Sequence, residues 1–215
     1  MLMKIAIIGA TGFVGCSILN ELVSRNHEIT AIARNPKDDD KVKWIKADVN
    51  NVDALSKAIS GNDVVINTFN AGWENPNLYA DFISGSKAIQ EAVKKSGVKR
   101  FITIGGAGSL FVAPGIQAVD TPDFPAAYYA GASAARDYLN MIKEEKELDW
   151  AFFSPAFEMH AGIDTGRTGK YRLGLENPVF DANNRSILSV EDLAVVIADE
   201  TENPKHHQKR FTAAY

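Results

Sequence analysis

Cysteine is almost missing: Cys16 stands alone in 215 residues, so no disulfide can close within the chain, a usage that suits a reducing compartment. Long apolar runs are also missing, and none reaches the length that crosses a bilayer. The first residues pass straight into a short apolar run and a glycine turn without a leader pattern. The expectation is a cytoplasmic protein with no membrane partner. Positive charge is not in excess. Lys and Arg total 23 against 27 Asp and Glu, a net charge of −4 with mixed signs, and this excludes the basic stripe of a nucleic-acid binder. No His/Cys cluster at ligand spacing is evident; His206 and His207 lie in a polar stretch, read as solvated, and no metal is expected. Repeats and low-complexity segments are absent. What remains is an ordinary globular composition, 46% hydrophobic and 23% charged, long enough for one α/β domain with a sizeable core.

What the sequence does have begins at Lys4. Ile5 to Ile8 form a short continuous apolar run, the pattern of a strand buried on both faces, followed by Gly9, Gly12 and Gly15 at the spacing GxxGxxG and then an amphipathic run from Cys16 to Ser24. A strand, a glycine turn and a helix in that order make a phosphate cradle. Gly9 permits the tight turn, Gly12 lets backbone approach a pyrophosphate, and Gly15 lets the helix lie close to the strand. Amides at the helix N-terminus, assisted by the helix dipole, then face the anion. Cys16, at the start of this helix, reads as a small packed residue.

Glu28 to Ala33 reads as a second strand, and Arg34 stands at its end, where a dinucleotide-binding fold meets the adenosine ribose. An acidic residue there selects NAD; a guanidinium matches a 2′-phosphate, so the sequence favours NADP. The run Asp38-Asp39-Asp40, between Lys37 and Lys41, reads as a solvated loop. Val42 to Ala47 is a third strand ending at Asp48-Val49, with Asp48 placed either to meet the adenine amino group or to cap the segment after it. A helix over Val52 to Ser60 stops at Gly61, and Asp63 to Asn67 is a fourth strand opening into Thr68, Phe69, Asn70, Ala71, Gly72 and Trp73, a loop expected along the cofactor. Leu78 to Ser96 is helical, Lys99 to Ile104 is a fifth strand, and Leu148 to Phe153 a sixth. Such alternation predicts a Rossmann-type doubly wound parallel sheet with helices on both faces.

Two segments break the alternation. Residues 105–127 and 157–188 are rich in Gly and Pro, leave the carboxyl ends of successive strands, and are expected to cover a substrate as a small irregular cap on a single domain, 1–215. Between them a helix from about Ala126 places Tyr128, Ala132, Ala135, Leu139 and Ile142 on one apolar face. Ser189-Val190-Glu191-Asp192 opens a last helix with a serine cap and early acids, and Arg210 to Thr212 a short last strand.

Gly9-Ala-Thr-Gly-Phe-Val-Gly15, Arg34-Asn-Pro, Ala47-Asp48-Val49, Gly105-Gly-Ala-Gly108 and Phe153-Ser-Pro-Ala156, with Thr168 to Arg172 and Ser189 to Asp192, together resemble the atypical short-chain dehydrogenases. Within them the chain is similar to the NADH-flavin-reductase-like, NmrA-like and biliverdin-reductase-B-like group, with distant likeness to NAD-dependent epimerase/dehydratases. The resemblance implies cofactor contacts at Thr11, Phe13 and Val14 beside the glycines, then at Arg34, Asp48, Val49, Phe69, Asn70, Ala71 and Gly105.

The resemblance does not supply a catalytic residue. Short-chain dehydrogenases pair a tyrosine with a lysine four positions on; here Tyr128 is followed by Ala132 and Tyr129 by Ser133, and without the lysine a phenol is a poor proton donor near neutral pH. Two mechanisms remain open. In one, NADPH passes hydride to a small conjugated acceptor, a flavin or quinone, that draws its proton from water. In the other, Tyr128 or Tyr129 assists, oriented by a neighbour such as Ser109. The missing lysine equally suits a non-catalytic NADP sensor, and epimerase or dehydratase chemistry stands third. A monomer or homodimer is expected.

Overall fold

The computed structural model describes residues 2–37 and 41–215; the acidic run Asp38-Asp39-Asp40 lies outside the described residues. The elements in chain order are β1 (Lys4–Ile8), α1 (Phe13–Ser24), β2 (Glu28–Ala33), β3 (Lys43–Lys46), α2 (Val52–Ile59), β4 (Val64–Asn67), α3 (Leu78–Ser96) and β5 (Arg100–Ile104). Next come β6 (Phe111–Ala113), β7 (Ile116–Gln117), α4 (Ala126–Ile142), β8 (Asp149–Phe153), β9 (Arg172–Gly174), α5 (Val190–Glu202) and β10 (Lys209–Ala214). Eight strands form one sheet in the order β3-β2-β1-β4-β5-β8-β10-β9. All neighbours are parallel except β9, which runs antiparallel to β10.

The apolar runs explain the layers. In β1, Ile5 and Ile7 face the core beneath α1 and α5, while Ala6 and Ile8 face the core beneath α2, α3 and α4, so every side chain of the run is buried. Among the described residues no helix is long and apolar enough to cross a membrane.

The two Gly/Pro-rich excursions carry more order than their composition suggests. Residues 105–127 hold the hairpin β6–β7 and two short 3₁₀ turns, and residues 157–188 hold β9, which joins the main sheet. Both are tied down by one residue of β10. Arg210, fully buried, donates to the carbonyl oxygen of Ser109 in the first excursion and to the Glu176 carboxylate in the second, with its guanidinium 5.2 Å from the centre of the Phe111 ring. Burial drives the pKa of this guanidinium below the ordinary arginine value, with the Glu176 carboxylate opposing.

Asp192 anchors the other side. Its buried carboxylate accepts from the amides of Thr168 and Gly169 at 2.9 and 2.7 Å, from the Thr168 hydroxyl at 2.6 Å and from the Tyr215 hydroxyl at 2.7 Å. Asp192→Ala strands these donors. Because the segment can open to water, the expected cost is about 2 kcal/mol, a fall of about 4–8 °C in Tm. Trypsin should then cut after Arg167 or Lys170 at least tenfold faster than in the wild type. An unchanged cleavage pattern would show that Asp192 does not hold the segment.

One reading of the sequence is corrected. His206 is not solvated: its ring is buried, stacks on Phe211 with centroids 4.2 Å apart and planes 7° apart, and lies 2.8 Å from the Glu200 carboxylate. His207 is exposed beside Asp149.

Candidate cofactor and acceptor site

The sheet reverses its winding between β1 and β4, and the crevice outside their carboxyl ends is where an open α/β sheet binds ligands. Gly9 ends β1 with φ of +82°, a left-handed conformation, and a Cβ there would lie 2.9 Å from the Thr68 carbonyl oxygen. A Cβ on Gly15 would lie 2.3 Å from the Gly9 carbonyl oxygen and 2.6 Å from Thr68 Oγ1. These two glycines are needed for the turn itself.

Gly12 differs. Its φ of −73° suits any residue, and a Cβ would meet only the Gly9 carbonyl oxygen, at 3.3 Å, with open space beyond. Gly12 is also the N-cap of α1 and offers no side chain to cap it, and no acidic residue sits in the first turn. The amides of the first turn, Phe13 and Val14 among them, have no partner within the helix and point out of it. The turn is therefore an anion cradle whose floor a side chain at Gly12 would fill, and the diphosphate of a dinucleotide fits it.

A cleft of about 460 Å³ opens from this cradle. Gly9, Thr11 and Gly12 line it from the turn, Arg34 and Asn35 from the end of β2, Asp48 and Val49 from beyond β3, and Thr68, Phe69, Asn70 and Ala71 from the end of β4. Phe13, Val14 and Gly15 follow Gly12 in the first turn of α1 and do not themselves line it. Gly105 does not line it: it closes β5, and a Cβ there would collide with the Phe152 ring at 2.0 Å. A shallower hollow over Asp48 and the start of α2 continues the cleft outward.

Thr68, expected in the loop along the cofactor, has a second role that the glycine spacing could not reveal. Its hydroxyl donates to the Ile8 carbonyl at 2.8 Å, with the Gly9 carbonyl oxygen 3.2 Å away, and so locks the turn from the neighbouring strand. One residue earlier, Asn67 ties the end of β4 to β5 and holds the loop after it, donating to Thr103 Oγ1 and accepting from the Phe69 amide, both at 3.0 Å. Asn75, also in the cleft wall, donates to the Ala71 carbonyl at 3.2 Å. The only sequence signal was their type: amides and a hydroxyl at the carboxyl end of an apolar strand. Asp48 accepts from the Asn50 amide at 2.9 Å, and Asn51, not Asp48, caps α2.

The three catalytic candidates do not converge. Ser109 has no exposed surface, and its hydroxyl lies 2.8 Å from the Gly106 carbonyl oxygen and 2.9 Å from Ser154 Oγ, so it does not orient either tyrosine. Tyr128 and Tyr129 are 56% and 52% exposed. Tyr128 therefore stands off the apolar face of α4, which begins at Gly131 and Ala132, and packs edge-on against Trp73. Ser133 occupies the position four beyond Tyr129, and its hydroxyl donates back to the Tyr129 carbonyl at 2.7 Å. Among the described residues no cluster of three or more His, Cys, Asp or Glu could hold a metal ion.

Residues 9–204 match a family model described as NAD(P)H-binding. The uncharacterized protein YwnB of Bacillus subtilis is 37% identical over 98% of this chain and 97% of its own length. A structure from Bacteroides thetaiotaomicron, provisionally named an epimerase, is 44% identical over 100% of this chain and 98% of that one, with a TM-score of 0.90. A structure from Streptococcus pneumoniae, provisionally named an NADH-flavin reductase, is 31% identical over 99% of both chains, with a TM-score of 0.85.

Proposed function

The chain belongs to the NAD(P)H-binding family, and from that premise we propose that it is an NADPH-dependent reductase passing hydride to a small conjugated acceptor of flavin or quinone type. The observation that carries the reading is the open Gly12 cradle leading into a 460 Å³ cleft, on a chain whose tyrosines lack the lysine of a proton relay. The first-turn amides hold the diphosphate, Arg34 meets the 2′-phosphate, Asp48 faces the adenine, and the Phe69 to Ala71 loop runs along the cofactor. A reduced nicotinamide supplies the hydride. An acceptor with a conjugated ring takes it and draws its proton from water, so the protein needs only to hold the two rings in register. The excursions over residues 105–127 and 157–188 wall the acceptor in.

Anaerobic stopped-flow mixing of the NADPH-loaded protein with a panel of flavins and quinones tests this. Acceptor-dependent loss of NADPH absorbance is expected. NADPH bound without loss across the panel would favour the second reading, a non-catalytic NADP sensor, which the same missing lysine motivates.

Cofactor choice has its own test. Arg34→Glu turns a guanidinium–phosphate contact into repulsion and is expected to weaken NADPH by about 30-fold while changing NADH by less than about threefold. Equal losses for both, measured by calorimetry, would mean that Arg34 does not meet the 2′-phosphate.

A further inference from the structure

Four aromatic side chains gather on the carboxyl rim beside the cleft. Trp73 comes from the β4–α3 loop, Phe124 from the end of the first excursion, and Tyr128 and Tyr129 from the first turn of α4. Trp73 and Tyr128 meet edge to face, with centroids 5.7 Å apart and planes at 84°; Phe124 and Tyr129 do the same at 6.5 Å and 70°. An edge-to-face pair covers at most one face of one ring, and Trp73, Tyr128 and Tyr129 all remain more than half exposed.

Trp73 is nevertheless held in place. Gly72, at φ of +100°, turns the chain toward α4, and Gly131 of α4 leaves room for the indole, since a Cβ there would lie 2.8 Å from the ring. Asn75 donates its amide to the Gly72 carbonyl at 3.1 Å, closing the turn. Ala71 and Asn75, on either side of Trp73 in sequence, both line the cleft. A fixed, exposed indole thus projects from a turn whose two ends belong to the cofactor wall.

The charges in the segments that carry this platform are mostly negative. Across residues 70–79 and 120–137 the ionisable acids and bases are Glu74, Asp120, Asp123, Asp137 and a single cation, Arg136. Arg136 is already ion-paired with Asp120 at 2.9 Å and Asp137 at 2.5 Å. Of the second excursion's basic residues, Arg167 pairs with Glu21 and Arg185 with Glu158, Arg172 donates to the carbonyls of Phe180 and Tyr215, and Lys170, without an ion pair, lies in the segment that Glu21 and Asp192 hold against α1 and α5, on the other face of the sheet from α4. None of these cations of the second excursion is carried by the segments that form the platform.

We infer that the Trp73–Tyr128 platform is the stacking surface for the acceptor, and that it selects a flat, uncharged conjugated ring against the phosphorylated form of the same ring. The inference rests on the reductase reading for the word acceptor, but not for the existence of the site. A dianionic phosphate near Glu74 and Asp123, the two carboxylates of these segments outside an ion pair, is repelled through water and screened by salt, whose Debye length falls from about 10 Å at 0.1 M to about 3 Å at 1 M. Stacking on the indole is insensitive to salt.

Binding is read without turnover by titrating the NADP-loaded protein with riboflavin and with FMN and monitoring tryptophan emission. Trp44 is half-buried and Trp150 buried, so quenching through contact belongs to Trp73. At low salt riboflavin is expected to bind at least fivefold more tightly than FMN, the ratio approaching one near 1 M salt. Trp73→Ala should weaken riboflavin by at least tenfold and leave NADPH affinity within twofold, with Trp73→Phe intermediate. Should Trp73→Ala misfold, Tyr128→Ala, at an exposed position, should weaken riboflavin by at least threefold. FMN binding as tightly as riboflavin at low salt, or riboflavin affinity unmoved in these variants, would overturn the inference. Riboflavin bound at Trp73 while no flavin or quinone of the panel consumes NADPH would instead overturn the reductase reading and leave this site standing.

Discussion

Gly12→Ala is expected to fold as the wild type does and to lose NADPH. The backbone at Gly12, φ −73° and ψ 168°, is open to alanine, and the added methyl meets only the Gly9 carbonyl oxygen at 3.3 Å. Substituting alanine at a compatible glycine reduces the freedom of the unfolded chain, so Tm should hold or rise by a degree or two. On the proposed placement of the cofactor, the methyl would instead occupy the floor under the diphosphate and hold it off the first amides of α1. Losing two or three charge-assisted hydrogen bonds costs about 4 kcal/mol, roughly a thousandfold in Kd. Gly15→Ala makes the contrast, because its methyl would lie 2.3 Å from a backbone oxygen and α1 must shift. Overpacking of this kind costs about 1–3 kcal/mol, a Tm lower by about 3–10 °C. Calorimetry and thermal melts on the two variants separate binding from folding. NADPH bound at wild-type affinity by Gly12→Ala would place the cofactor somewhere other than this turn.

That separation also marks what the sequence could and could not convey. Gly9, Gly12 and Gly15 announced the turn because glycine at that spacing after Ile5 to Ile8 has few other uses, and the parallel strands were legible because burial on both faces demands unbroken apolar runs. The short strands were not: β6, β7 and β9 have two or three residues each, too few to show a period, and lie among Gly and Pro. Residues whose role depends on a distant partner were hidden as well. Arg210 looks like a surface arginine until the two excursions close over it, and His206 looks solvated until Phe211 stacks on its ring. Tyr128 fitted an apolar helical face by spacing, yet it lies in the first turn of α4, where the helix has passed beyond the core, and it meets Trp73 instead. Spacing reports which side of a helix a residue occupies; it does not report where the core ends.

Glu200→Ala should be strongly destabilising, although the residue lies away from the cleft. Arg100 opens β5 with its guanidinium only 8% exposed, and its Nη2 donates to the Glu200 carboxylate at 2.6 Å from across the α5 interface. The same carboxylate accepts from the amides of Lys205 and His206 at 3.0 and 2.9 Å and lies 2.8 Å from His206 Nδ1. Removing it leaves a buried guanidinium with only the Asp149 carboxylate, 3.3 Å from Nη1, as an anionic partner. Breaking one side of a buried pair costs about 3–5 kcal/mol, which is about 10 °C in Tm for a chain of this size. Replacing both partners by apolar side chains, as in Arg100→Met with Glu200→Leu, should recover most of that loss, since the penalty comes from the stranded charge rather than from the pair. The carboxyl also carries a pH signature. Burial alone would raise its pKa, but the hydrogen bonds from the His206 ring and from the amides of His206 and Lys205 outweigh it and hold the group below its ordinary value of 4.5. A folded-state pKa below the unfolded one contributes stability that is complete above about pH 4.5 and is lost as the pH falls through the folded value. The wild type and Glu200→Gln should therefore differ most in Tm near neutral pH and converge as the medium is acidified below pH 4.5. Parallel melting curves from pH 7 to pH 3 would show that the carboxylate charge is not what holds α5 to β5. Because the pair sits at the amino end of β5, while the cleft opens at the carboxyl ends of β1 and β4, Glu200→Gln should keep wild-type NADPH affinity at temperatures where it is folded.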